Sequence, residues 1–135
     1  MAALSEFKPA YFTIDDRGSV VVVHIAKTGL SEEDNIEQLG QELSMLVDQY
    51  GCRRLAVNFE IVTLITSAAL GKCIALHRNL HRREGRLVLC GVAGMVQDVL
   101  DATKLNEYFT VTATADEAVA LLLEGANGDS TKSVG

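Results

Sequence analysis

The chain has 135 residues, 48% hydrophobic and 22% charged, which is enough apolar material for one packed domain and gives no compositional ground for disorder. A formal net charge of −6 argues against a general binder of phosphate backbones, so no direct DNA binding is expected. No uninterrupted apolar segment approaches the ~20 residues of a membrane-spanning helix, so no membrane insertion is expected either.

The opening residues, Met1 to Glu6, carry neither a basic start nor an apolar run of signal length, and the expected location is cytoplasmic. Residues 1–10 read as a short arm holding the only proline, Pro9. Tyr11–Asp15 and Val20–Ala26 read as strands, the second rich in valine, and Asp16-Arg17-Gly18-Ser19 between them predicts an antiparallel hairpin. His24 reads as a satisfied core or edge histidine. Lys27–Leu30 is expected to be loop. Ser31 with Asp34 then resembles a capping pair, and Ile36, Leu39, Leu43, Leu46/Val47 and Tyr50 form an apolar stripe that predicts a helix over Glu32–Gln49. Gly51 ends it.

Arg54–Phe59 is apolar enough to be a central strand. After it, Leu70, Ile74, His77 and Leu80/His81 recur at helical spacing, which predicts a helix over Ser67–Glu84. Gly85 leads into a strand, Arg86–Cys90, through a connection expected to be a right-handed parallel crossover. Gly91–Gly94 is loop and Met95–Thr103 a shorter helix burying Val96, Val99 and Leu100. Thr110–Thr112 adds a short strand. Thr114 with Glu117 makes a capping box for a helix to about Glu124, and residues 125–135 are polar, small and expected to be a disordered tail. Strands and helices in this order predict an α/β layer fold over residues 11–124 with no internal repeat. Cys52, Cys73 and Cys90 are odd in number and lie in or beside apolar segments, so they are expected to be reduced and buried.

Enzyme motifs fail on their own requirements. Gly71-Lys72-Cys73 lacks the earlier glycine and the following hydroxyl of a phosphate-binding loop; those positions hold Thr66 and Cys73. Cys73, His77 and His81 share a helical face, but no fourth zinc ligand lies nearby in sequence, so neither a metal nor another cofactor is expected. No serine, histidine and carboxylate mark a nucleophile elbow. The cluster His77, Arg78, His81, Arg82, Arg83 and Arg86 reads as a solvated helix end complementing the dipole, without interleaved aromatics for single-stranded nucleic acid. Thr66 and Ser67 stand where the chain turns into the long helix. Either is a good N-cap, and a helix start with a hydroxyl and small alanines is also a natural seat for a phosphate.

The run Leu64-Ile-Thr-Ser-Ala-Ala-Leu-Gly71 resembles the signature of the STAS domain, the family of bacterial anti-sigma factor antagonists, whose usual form is D-S-S-G-L-G at a helix start. Gly85–Cys90 resembles that family's G-G-x-L-x-L strand. Val96–Leu100 followed by Leu105–Phe109 resembles its third helix and L-x-x-L-F exit. Gly29–Glu32 falls on its G-E-L-D loop, with Glu32 on the aspartate. The resemblance covers roughly residues 20–123. It implies a STAS-like fold, a small mixed β-sheet with about four helices packed against it, and it places Ser67 on the family's phosphoacceptor serine, with Thr66 as runner-up. It further implies a contact surface of Glu32, Thr66, Ser67, Ala68, Ala69, Leu70 and Gly71. The implied partner is an anti-sigma factor that is a serine kinase of the histidine-kinase-like ATPase class, bound when Ser67 is unmodified so that a sigma factor is released. A homodimer is compatible with the resemblance. So are two other roles: a scaffold subunit of a stress-sensing or transporter assembly, and a small-ligand or nucleotide-binding module. This chain departs from the signature at three places. Thr66 replaces the aspartate, removing an acidic cap; Ala68 replaces a serine; Ala69 replaces the glycine, and is expected to fill space where a partner approaches. Asn58 stands where many relatives have an acidic residue.

Overall fold

The computed structural model describes residues 3–132, with the backbone alone for 125–132. A 3-10 turn (Leu4–Glu6) precedes the hairpin of β1 (Phe12–Asp16) and β2 (Val21–Ile25), antiparallel with Phe12 opposite Ile25. The chain continues through β3 (Gly29–Leu30), α1 (Glu33–Asp48), β4 (Arg54–Asn58), β5 (Leu64–Ile65) and α2 (Ser67–Arg82). It ends with β6 (Arg86–Cys90), α3 (Gly94–Ala102), α4 (Leu105–Tyr108), β7 (Thr110–Thr112) and α5 (Ala115–Lys132).

The main sheet has the order β1-β2-β4-β6-β7, with β2, β4, β6 and β7 mutually parallel and β4 at the centre, as its apolar sequence required. Each crossover steps the same way along the sheet, so the helices it carries fall on one face. There Leu55, Val57, Leu87 and Leu89 pack with Leu39, Leu43 and Leu46 of α1, Leu70 and Leu80 of α2, and Val96 and Leu100 of α3. The alternate strand residues Val22, Ala56, Val88 and Cys90 face the other way, onto Ala118, Val119 and Leu122 of α5. Both faces of the central strands are therefore dry. Among the described residues no helix is long and apolar enough to cross a membrane.

The arm is tied down by a buried charge. Glu42, 6% exposed within the apolar stripe of α1, accepts hydrogen bonds from Ala10 N at 2.8 Å and Tyr11 N at 3.0 Å, which answers its desolvation. Phe7 then stacks on Tyr50 with ring centroids 4.9 Å apart.

Several expectations need correction. Residues 29–30 are not loop but β3, pairing in parallel with β5; a two-residue strand is too short to leave a periodic signal. Ser31 does not cap α1. The helix begins one residue later, with Glu32 at the N-cap position and no side-chain cap bond. Five α-helices are present among the described residues where about four were expected, the addition being the single turn α4, entered through Lys104 at φ +64. The α5 backbone is helical to Lys132, past the end expected near Glu124. Of the segment expected to be a tail, residues 133–135 lie outside the described residues. The Thr114 box forms as read: Glu117 N donates to Thr114 Oγ1 at 3.1 Å, and Glu117 Oε1 accepts from Thr114 N at 3.4 Å. All three cysteines are free and buried.

Candidate functional site

Parallel strands β2, β4 and β6 deliver their loops to a single edge of the sheet, the place where open α/β folds assemble sites. There the small β3–β5 pair joins two loops. Gly29 lies opposite Leu64 and Leu30 opposite Ile65, and Thr63 N donates to Thr28 O at 2.8 Å. Thr66 N donates to Leu30 O at 3.2 Å, so the start of α2 is fastened beside the start of α1. Farther along, Lys72 Nζ pairs with Glu37 Oε2 at 2.9 Å and its stem lies over Gly40, where an added Cβ would come within 2.7 Å of Lys72 Cδ. The two helices thus run side by side from a common edge.

At that edge the adjacent hydroxyls of Thr66 and Ser67 differ completely in engagement. Thr66 is the N-cap: its Oγ1 accepts from Ala69 N at 3.3 Å and donates to Leu30 O at 3.4 Å. A threonine oxygen therefore supplies the cap that the family's aspartate would supply. Ser67 is the first helical residue, exposed, with a hydroxyl that has no hydrogen-bond partner among the described residues. The N–H groups of a first helical turn have no acceptor within the helix, which favours negative charge beside them.

The remaining expected contact residues divide by burial. Ala68 is exposed, and an added Cβ on Gly71 would meet nothing within 4 Å. Ala69 and Leu70, 1% and 0% exposed, are turned into the core and offer no side chain to a partner. The methyl of Ala69 consequently fills the interior, not the approach route that its replacement of glycine was expected to narrow. Glu32 is exposed at the start of α1, where its Oε1 accepts from Asn35 Nδ2 at 2.9 Å; Asn35 Oδ1 in turn accepts from Tyr11 Oη at 2.6 Å. The sequence reading missed this Tyr11–Asn35 support. The three-residue spacing of Glu32 and Asn35 was available as a signal, whereas nothing local pointed to Tyr11. Asn58, 7% exposed, closes the end of β4: its Oδ1 accepts from Glu60 N at 3.0 Å and its Nδ2 lies 3.0 Å from His24 Nδ1. It is a structural clasp for the turn, and His24 is satisfied through it.

Elsewhere the residues singled out in sequence are drawn into packing. Cys73 is 2% exposed and burial pushes its thiol up to about 12, so it is held as a neutral core group. The His77 ring packs edge-on against Tyr108 and Phe109, with centroids 4.9 and 5.9 Å away. Burial first, and the neighbouring His81 second, hold its imidazole below the ordinary value. Among the described residues no group of three or more His, Cys, Asp or Glu side chains is arranged to hold a metal ion. Of the basic cluster, Arg83 is engaged within the fold, donating to Asn79 Oδ1 at 3.0 Å and pairing with Asp48 at 3.1 Å.

Comparison with known proteins identifies the family and the fold. Residues 11–118 match the family model of the STAS domain. BtrV of Bordetella bronchiseptica, named for anti-sigma factor antagonism, is 30% identical over 92 residues, which span 68% of this chain and 78% of that protein. An anti-sigma-factor antagonist (STAS) domain protein from Planctomyces limnophilus superposes with a TM-score of 0.72 at 18% identity, covering 82% of this chain and 96% of that one. The phosphorylated form of the Bacillus cell fate determinant SpoIIAA gives a TM-score of 0.63 at 22% identity, covering 81% of this chain and 96% of its own. These structures share the fold of this chain.

Proposed function

This chain belongs to the STAS domain family, and we propose that it is an anti-sigma factor antagonist whose binding is controlled by phosphorylation at Ser67. In this reading unmodified protein binds an anti-sigma factor that is also a serine kinase, and a sigma factor is released. The kinase then transfers the γ-phosphoryl group of ATP to Ser67 Oγ, the phosphoanhydride bond breaking as ADP leaves and the hydroxyl proton is released, and the contact breaks. The protein itself acts by binding and not by catalysis.

The observation that carries the reading is the contrast between the two hydroxyls. Ser67 is exposed and free of hydrogen bonds among the described residues, while Thr66 is occupied as a cap and as a donor to Leu30. Phosphate on Ser67 would add roughly two negative charges at a helix start that tolerates them, so the fold survives modification. The effect then falls on the partner. The nearby carboxylates of Glu32, Glu33 and Asp34 are exposed at the start of α1 and give the added charge no neutralising cation. A partner surface fitted to a neutral serine there meets a new dianion, and like-charge or desolvation costs of that kind reach several kcal/mol.

The test is calorimetric titration of the wild type, Ser67→Ala and Ser67→Glu against the anti-sigma kinase encoded in the same genome. Wild type and Ser67→Ala should bind alike, and Ser67→Glu should bind at least about 100-fold more weakly. Equal binding by all three would contradict the reading.

A further inference from the structure

Three large apolar side chains stand out of the fold near Ser67 without having been assigned a role. Ile61 is 46% exposed, Leu64 40% and Met95 46%. Ile61 and Leu64 belong to the segment between β4 and α2 that also carries Thr66 and Ser67. Met95 is in the first turn of α3, a helix that packs against β5. Ile61 and Leu64 lie in the exposed segment that leads to Ser67 and Ala68, and Met95 lies on the helix packed against the end of that segment.

Exposed acidic residues stand in the loops of the same edge. Glu32, Glu33 and Asp34 lie across the β3–β5 pair at the start of α1, and Glu60 precedes Ile61 in the turn after β4, all of them exposed. Lys72 is bridged to Glu37, and Lys27 lies over the Tyr11 ring, 5.4 Å from its centroid. An apolar centre within a negative rim repels nucleic acid and anionic lipid headgroups alike, because both present phosphates. It is complementary to a protein surface with apolar side chains at its centre and Arg or Lys around them.

We infer that Ile61, Leu64 and Met95 form the apolar centre of the partner-binding face, rimmed by Glu32, Glu33, Asp34 and Glu60, and that the partner's matching surface is an apolar patch ringed by basic residues. This inference rests on the proposed anti-sigma antagonist function and names the chemistry of its partner. It also explains how one phosphate can act strongly: Ser67 is exposed and follows Leu64 by three residues, so a dianion added on this face must be either desolvated or accommodated by parting the two surfaces.

The test uses the full chain and the anti-sigma kinase, with Leu64→Asp, Met95→Asp and Glu60→Lys titrated beside Ser67→Glu at low and physiological salt. Circular dichroism and thermal melts verify folding, which these exposed positions should leave intact. Leu64→Asp and Met95→Asp should each weaken binding by about tenfold or more at both salt concentrations. Glu60→Lys should weaken it chiefly at low salt and flatten the salt dependence. Unchanged binding by the two aspartate variants, with Ser67→Glu still breaking the contact, would overturn the apolar centre while leaving the phosphorylation switch in place. Loss of binding by the aspartate variants with wild-type salt dependence for Glu60→Lys would overturn the basic ring. A kinase that binds none of the proteins, wild type included, overturns both this surface and the function it rests on.

Discussion

At its N-terminal end α2 presents an unbonded serine hydroxyl, an exposed alanine and open space at Gly71; at its C-terminal end a set of polar groups is engaged within the chain. Arg83 bridges Asn79 and Asp48, Asn79 donates to the same Asp48 carboxylate at 3.0 Å, and Gly85 N reaches Leu80 O at 2.7 Å. The turn there is so close that a Cβ on Gly85 would come within 2.5 Å of Arg53 O. One end of the helix is thus held by the chain's own groups and the other is left open. The difference separates two kinds of hydroxyl and charge that look alike in sequence: those that complete the fold and those the fold leaves free.

Substitutions along α2 should grade accordingly. Leu70→Ala removes a fully buried side chain directly beneath the candidate site and should cost about 2–5 kcal/mol in urea unfolding, which would show that this part of the motif serves the core. Thr66→Ala should cost about 1 kcal/mol through the lost cap, with Thr66→Ser retaining most of it, whereas Ser67→Ala one residue later should fall within about 0.5 kcal/mol of wild type. Equal costs for the two hydroxyls would erase the distinction drawn between them. Arg83→Ala, whose pair with Asp48 is about half exposed (side chains 44% and 49%), should cost no more than about 1 kcal/mol and less at high salt.

The smallest effect belongs to His77, between the two ends, and shows only against pH. Its Nδ1 is buried without a hydrogen-bond partner among the described residues, and burial holds its folded pKa below the ordinary histidine value of 6.5. The unfolded chain therefore takes up the proton more readily. The neutral ring's contribution is full above about pH 6.5 and is lost as pH falls through the lower folded value. Stability followed by urea titration across that window should decline for the wild type and less so for His77→Leu.

Much of this architecture was legible. The valine run of β2, the stripe Ile36–Leu39–Leu43 and the apolar β4 each carry a period long enough to read, and the hairpin and the order of the elements followed. What escaped depended on contacts remote in sequence. The β3–β5 pair joins residues 29–30 to 64–65 through two residues on each side, and it is this pairing that brings Thr66 Oγ1 to Leu30 O and so makes Thr66, not Ser67, the cap. Sequence placed both hydroxyls at the helix start without deciding between them. The burial of Ala69 follows from the same register: a position that aligns with a glycine was expected to crowd a partner, but the helix turns its methyl inward. Ile61, Leu64 and Met95 could not have been separated from core residues by composition, because an exposed aliphatic differs from a buried one only in what packs over it.

The most direct measurement is to incubate the protein with the anti-sigma kinase and ATP and to locate the phosphate in the tryptic peptide Leu55–Lys72, which holds Thr63, Thr66 and Ser67 together. Phosphate on Ser67, with Thr66 unmodified and the far-ultraviolet spectrum unchanged, is the predicted result. Phosphate on Thr66, or none in a fully covered peptide, would contradict the assignment of Ser67 as the free and regulated hydroxyl.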